Sequence, residues 1–99
     1  MKISFDKQTT DNIIKTIQGV MGGRNLAKIV EFESDNAGNI TIHIRKLGTS
    51  TLQFSREEDP NKANFKLSSE KIAFAHKAFK DEVTQKIVQV IEQAGGKVS

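Results

Sequence analysis

The sequence predicts a two-layer α+β sandwich, in which a four-stranded antiparallel meander is covered by a long C-terminal helix. Three observations carry this. Between residues 29 and 67, four short segments alternate apolar and polar residues, as half-buried strands do. Turn-forming residues separate those segments. Two stretches with apolar residues at helical spacing flank them, at residues 13–21 and 70–94. The predicted element order is β-α-β-β-β-β-α within a single domain spanning residues 1–99, a length that suits one core. The chain is expected to be either a whole protein or the N-terminal domain of a longer one.

The first strand is read from Lys2-Ile3-Ser4-Phe5, which alternates outward and inward side chains. Thr9 and Thr10 then offer an N-cap, and Asp11 suits the positive end of the helix dipole. Ile13, Ile14, Ile17, Val20 and Met21 form one apolar stripe, and Gly22-Gly23 ends the helix.

The meander follows from its turns. Asp35-Asn36-Ala37-Gly38 and Asp59-Pro60-Asn61-Lys62 are turn sequences, and a third turn centres on Gly48. Matching like faces across the first turn sets Phe32 opposite Ile42 and Val30 opposite Ile44. Across the second, Leu52 is expected beside Ile44 and Phe54 beside Ile42. Across the third, Phe65 is expected beside Phe54 and Leu67 beside Leu52. Two apolar rows result: Val30, Ile44, Leu52, Leu67, and Phe32, Ile42, Phe54, Phe65. A slip of one residue in any pair would turn half of a row to solvent. On the other face, the rows expected are polar: Glu31, His43, Gln53, Lys66, and Glu33, Thr41, Ser55, Asn64.

The last helix is read from Ser68 and Ser69 as caps, with Glu70 in the first turn. Ile72, Ala75, His76, Phe79, Val83, Ile87, Val90 and Ala94 fall on one stripe, and Gly95-Gly96 stops it. From 70 to 94 this helix would be about 37 Å long. It would overhang strands of about 17–20 Å.

In element order the chain resembles a shortened helix-grip fold, where a curved antiparallel sheet holds a long C-terminal helix. The resemblance implies a gap between sheet and helix that can take a ligand. Here the two rows of large apolar residues are expected to fill that gap.

Composition narrows the function. The chain has no cysteine, which excludes disulfides, thiolate metal sites and cysteine nucleophiles. With two histidines, a structural zinc site is not expected, and no cofactor is implied. There is no apolar run of the ~20 residues that a membrane span needs, nor the apolar stretch of a secretory signal at the N-terminus. The cytoplasm is the default expectation. Fifteen basic and twelve acidic residues give a net charge of +3, and residues 26–67 carry six of each sign. Such interspersion argues against a nucleic-acid binder, which concentrates its cations. The sheet's outer face carries no aromatic ring on which bases would stack.

No catalytic constellation stands out. His76 falls on the apolar helix stripe and His43 on the outer sheet face, so the two are not expected to meet. Glu57-Glu58-Asp59 lacks the spaced oxygens of a calcium loop. Gly19-Val20-Met21-Gly22-Gly23-Arg24-Asn25 follows a helix instead of preceding one, so it reads as a C-cap and not a phosphate loop. Two function classes remain. The first is a non-enzymatic binding module for an anionic small molecule such as a nucleotide, with Arg24, Asn25, Arg45 and Lys66 as contacts. The second is a protein-interaction or homodimerisation module that uses Phe74, Ala78 and Val88, which point away from the apolar stripe of the last helix.

Overall fold

The computed structural model describes residues 1–46, 48–73 and 80–99. It is an α+β fold: a curled six-stranded antiparallel sheet and two helices that share one apolar core with it. The elements are β1 (Lys2–Asp6), α1 (Thr10–Met21), a 3-10 turn (Asn25–Lys28), β2 (Val30–Ser34), β3 (Ile40–Arg45), β4 (Thr49–Glu57), β5 (Lys62–Lys71), α2 (Lys80–Gln93) and β6 (Lys97–Val98). The spatial order is β2-β3-β4-β5-β1-β6. The four meander strands are thus extended by β1, which pairs with β5, and by the two-residue β6, which pairs with β1.

The first half forms as its residues dictate. Ile3 and Phe5 are buried while Lys2 and Asp6 are exposed. Thr9 caps α1, its hydroxyl accepting a hydrogen bond from the Asn12 N–H at 3.2 Å. Ile13, Ile14, Ile17 and Met21 bury one stripe of α1. Gly22 closes the helix by donating to the Gln18 carbonyl, and Gly23 follows at φ 80°. In the β2–β3 turn, the Asp35 carboxylate accepts from the N–H groups of Ala37 and Asn39, both at 2.9 Å. Gly38, at φ 82°, completes the turn.

Those hydrogen bonds favour the ionised Asp35. The Asn39 backbone N–H is the largest cause, with the Asn39 side chain and the Ala37 N–H adding to it. Together they hold the carboxyl below its ordinary value of 3.8. A lowered folded value gives stability that is complete above the ordinary value and is lost as pH falls through the lowered one. Asp35→Ala should therefore be less stable than the parent at neutral pH, and the difference should shrink as pH drops below about 4. Thermal melts of both proteins between pH 2 and 7 check this, and a gap independent of pH would contradict it.

The two expected apolar rows face inward. Val30, Phe32, Ile42, Ile44, Leu52, Phe54 and Phe65 are buried, and Leu67 is half-buried. The β2–β3 register is as expected, with Val30 opposite Ile44 and Phe32 opposite Ile42. The next two registers differ by two residues each. Ile42 pairs with Leu52 and Ile40 with Phe54, because Arg45 and Thr49 already pair across a tight turn. Phe54 pairs with Leu67, and Phe65 pairs with Arg56 instead of Phe54. A shift of two keeps every side chain on its face, so the core survives it.

The end of β5 corrects a larger expectation. Ser68, Ser69 and Glu70 do not begin a helix. They extend β5 to Lys71, paired with β4 across a β-bulge opposite Gln53 and Phe54. Serines favour irregular backbone as readily as helix caps, and the nine-residue β4 offers partners for the whole length of β5. The Ser68 hydroxyl donates to the Gln53 carbonyl at 3.1 Å, inside the bulge. Among the described residues the last helix covers Lys80–Gln93, 14 residues that span about 21 Å. Ile87, Val90 and Ile91 are its buried anchors. Phe74, Ala75, His76, Ala78 and Phe79 lie outside the described residues.

One end of the sandwich is closed by a polar clasp. Arg56 lies on the core-facing side of β4, its guanidinium 5.6 Å from the Phe65 ring centre. It donates to the Thr10 hydroxyl at 2.9 Å and to the Gln8 carbonyl at 2.8 Å. Thr10, itself buried, donates to the Gly38 carbonyl at 2.6 Å. These bonds tie the start of α1 to the β2–β3 turn and to β4, and they satisfy the polar atoms that the closure buries.

Candidate functional site

The bulge in β5 has a geometric result. Cross-strand neighbours share a face. Before the bulge, Leu67 stands with Phe54 on the core side. Beyond it the alternation flips, and Glu70 stands with Leu52. In the adjacent row, Ile44 stands with Ser50. The buried Ser50 thus stands where a large apolar side chain would complete the layer, and the exposed Glu70 stands at its rim.

A cavity of about 200 Å³ lies there. Among the described residues its walls are Ile44, Ser50 and Leu52 from β3 and β4, Leu67, Glu70 and Ile72 from β5 and just beyond, Val83 and Thr84 from α2, and Met1. Ser50 is fully buried, and its hydroxyl accepts from the Ala73 N–H at 2.8 Å. It therefore anchors the chain leaving β5 against β4, at the edge of the cavity. Polar atoms enter the walls from Thr84, Ser50 and Glu70; the rest is hydrocarbon and the Met1 side chain.

The anion contacts expected from sequence fall in three separate places. Arg24 is exposed beside the helical layer, where its guanidinium donates to the Gln93 side chain at 2.6 Å and links the loop after α1 to the end of α2. Asn25 is exposed at the start of the 3-10 turn. Arg45 is on the outer sheet face, paired with Glu31 at 2.7 Å. The Glu31 carboxyl is held below its usual range, first by hydrogen bonding with Glu33 and then by Arg45. Lys66 is on the same face but opposite Ser55, whereas Arg45 is opposite Thr49. Six residues of β4 separate the two, about 20 Å. Of the expected interface residues, Val88 is half-buried on α2, while Phe74 and Ala78 lie outside the described residues.

The outer face itself is polar. The register sets Glu31, His43, Thr51 and Lys71 in one row, and Glu33, Thr41, Gln53 and Ser69 in the next. His43 and Glu31 are cross-strand partners, but the His43 ring meets Glu33 diagonally, at 3.2 Å. Past the bulge, Ser55, Lys66 and Lys2 form a third row, and Glu57, Asn64, Ser4 and Lys97 a fourth.

Sequence reasoning missed Ser50, Glu70 and Thr84 as cavity residues, because Glu70 was assigned to a helix and the bulge leaves no mark in the hydrophobic pattern. It also missed Lys2 and Lys97. The alternation around Ile3 and Phe5 places Lys2 outward, but nothing local places β1 beside Lys66. Among the described residues, no three histidine or acidic side chains come together as a metal site, and no helix is long and apolar enough to cross a membrane. Comparison of the chain with protein-family models, with curated proteins and with solved structures finds no match in any of the three.

Proposed function

We propose that the domain is a binding module that takes one small, largely apolar organic molecule between the sheet and the start of α2. The observation that supports this reading is the cavity of about 200 Å³ with hydrocarbon walls and a few polar atoms. Ligand sites commonly combine these features. Size narrows the class. An apolar cavity of about 150 Å³ accommodates benzene, and sites for drug-sized molecules start near about 300 Å³. The ligand is then one or two fused rings, or a short branched chain. A nucleotide exceeds this volume and would set phosphates against apolar walls and the Glu70 carboxylate. An anionic ligand is favoured by a different surface, the lysine-bearing outer face of the sheet.

Thr84 supplies a polar contact that orients such a ligand. Binding without chemistry fits the described lining, which contains no histidine, lysine or cysteine. Thermal melts with benzene, indole and short branched alcohols at millimolar concentration test the proposal. A ligand at a hundred times its Kd stabilises the folded state by about 2.7 kcal/mol, so a melting temperature raised by several degrees is expected. Leu67→Phe, which fills the cavity, should abolish that response while holding its own melting temperature at or above the parent's. Thr84→Met provides a second filler from the helix side. No response from the parent, or the same response from both filled variants, would overturn the proposal.

A further inference from the structure

The outer face of the sheet divides by charge. On the β2–β3 side, the two carboxylates Glu31 and Glu33 are engaged by Arg45 and His43. On the other side, β5, β1, β6 and the paired end of β4 bring five lysines outward: Lys2, Lys62, Lys66, Lys71 and Lys97. Three side-chain carboxylates accompany them: Asp6 opposite Lys62, Glu57 opposite Asn64, and Asp59, which accepts from the Asn64 side chain at 2.9 Å. The whole chain carries a net charge of +3, and lysines outnumber carboxylates on this half of one face. Among the described residues, none of the five lysines makes an ion pair or a side-chain hydrogen bond.

Three of them converge. Lys2 and Lys66 are direct cross-strand partners, and Lys97 pairs with Ser4, one diagonal step from Lys2. Like charges directly opposite on adjacent strands are destabilising. The fold therefore tolerates a repulsive pair at Lys2 and Lys66, with a third cation beside it and no side-chain carboxylate paired with any of the three. Directly opposite side chains on adjacent strands stand about 5 Å apart at Cβ, and long side chains also meet across the diagonal. Three flexible ammonium groups at that spacing match the successive charged oxygens of one short phosphate chain. The hydroxyls of Ser4 and Ser55 stand in the same rows as neutral donors. The face carries no aromatic ring to stack a base and no apolar residue to enter a membrane, so charge is the main feature it offers a ligand.

We infer that Lys2, Lys66 and Lys97 form a site for an oligophosphate group on the outer face of the sheet, separate from the cavity under α2. The occupant is a free oligophosphate or the triphosphate of a nucleotide. Recognition is electrostatic, so it weakens as salt rises.

Backbone amide NMR titrations of the full chain test this with inorganic tripolyphosphate, ATP, adenosine and a short DNA duplex, at low and at physiological salt. The expected result is a saturable, salt-sensitive movement of the Lys2, Ser4, Lys66 and Lys97 amides with tripolyphosphate and with ATP, and none with adenosine. Tripolyphosphate alone moving them assigns the site to free oligophosphate; equal responses assign it to the phosphate chain of either source. Each Lys→Gln change should weaken binding about five- to tenfold. Lys66→Glu separates recognition from structure. It turns the repulsive pair into an attractive one, so it should raise the melting temperature while abolishing binding. A binding site lost only because the fold weakens would show both falling together. Unmoved amides, a Lys66→Glu variant that still binds, or a duplex bound more tightly than tripolyphosphate on the same residues would each overturn the inference.

Discussion

Phe54→Ala is expected to lower the unfolding free energy by about 3–5 kcal/mol, the usual cost of truncating a fully buried phenylalanine. Phe54 is 1% exposed and sits in the centre of β4, with Ile40 on one side and Leu67 on the other. It is also the residue beside the bulge, where the β4–β5 ladder changes step. Truncation removes the transfer energy of the ring and leaves a cavity that the two neighbours, each fixed in a ladder, fill poorly. A domain of this size is commonly stable by only about 5–15 kcal/mol, so the change removes a large share of the total. In chemical denaturation the midpoint should fall with little change in slope. A loss below about 1 kcal/mol would mean that the ring is not at the centre of the packed layer.

Gly96→Ala is expected to cost about 1–3 kcal/mol through overpacking. A Cβ at this position would lie 2.7 Å from Ile91 Cγ2 and 2.7 Å from Phe5 Cζ. Both neighbours are fully packed core residues, one on α2 and one on β1. Gly96 lets the chain leave α2 across the Phe5 ring and reach β1 as β6. The added methyl must displace either the ring or the strand, so protection of the Lys97–Ser99 amides from hydrogen exchange should fall as well. Gly19→Ala supplies the contrast. A Cβ there meets nothing within 4 Å, and the residue lies inside α1. Alanine should raise stability by about 0.5–1 kcal/mol, since glycine is the poorer helix former. Equal effects at the two glycines would contradict the packing assigned to Gly96.

The faces of the sheet were readable from the sequence, while its pairings were readable only in part. Alternation is a two-residue signal, so Ile42, Ile44, Leu52, Phe54 and Phe65 announce which way they point wherever the strand sits. Register depends on turn length. The Asp35–Gly38 turn declares its length through the Asp35 carboxylate and Gly38, and that pairing was correct. The turn between Arg45 and Thr49 is tighter than its residues announce, and β4 and β5 shift by two. Ser68-Ser69-Glu70 satisfied the local rules for a helix start and also those for an irregular strand. The choice was made by long-range pairing with Thr51, Leu52 and Gln53, which no local pattern contains. The cavity was hidden for the same reason. It is framed by Glu70, which the bulge sets beside Leu52, and by the buried Ser50, two placements that depend on the pairing. The lysine cluster likewise needs β1 beside β5, a contact between residues more than sixty positions apart.

Methyl NMR of the parent protein, titrated with xenon or benzene, addresses the cavity most directly. The methyl signals of Ile44, Leu52, Leu67, Ile72 and Val83 should move together and saturate, while those of Ile13 and Ile17 beneath α1 stay in place. Still methyls throughout, or movement centred on α1, would contradict a preformed apolar space between the sheet and the start of α2.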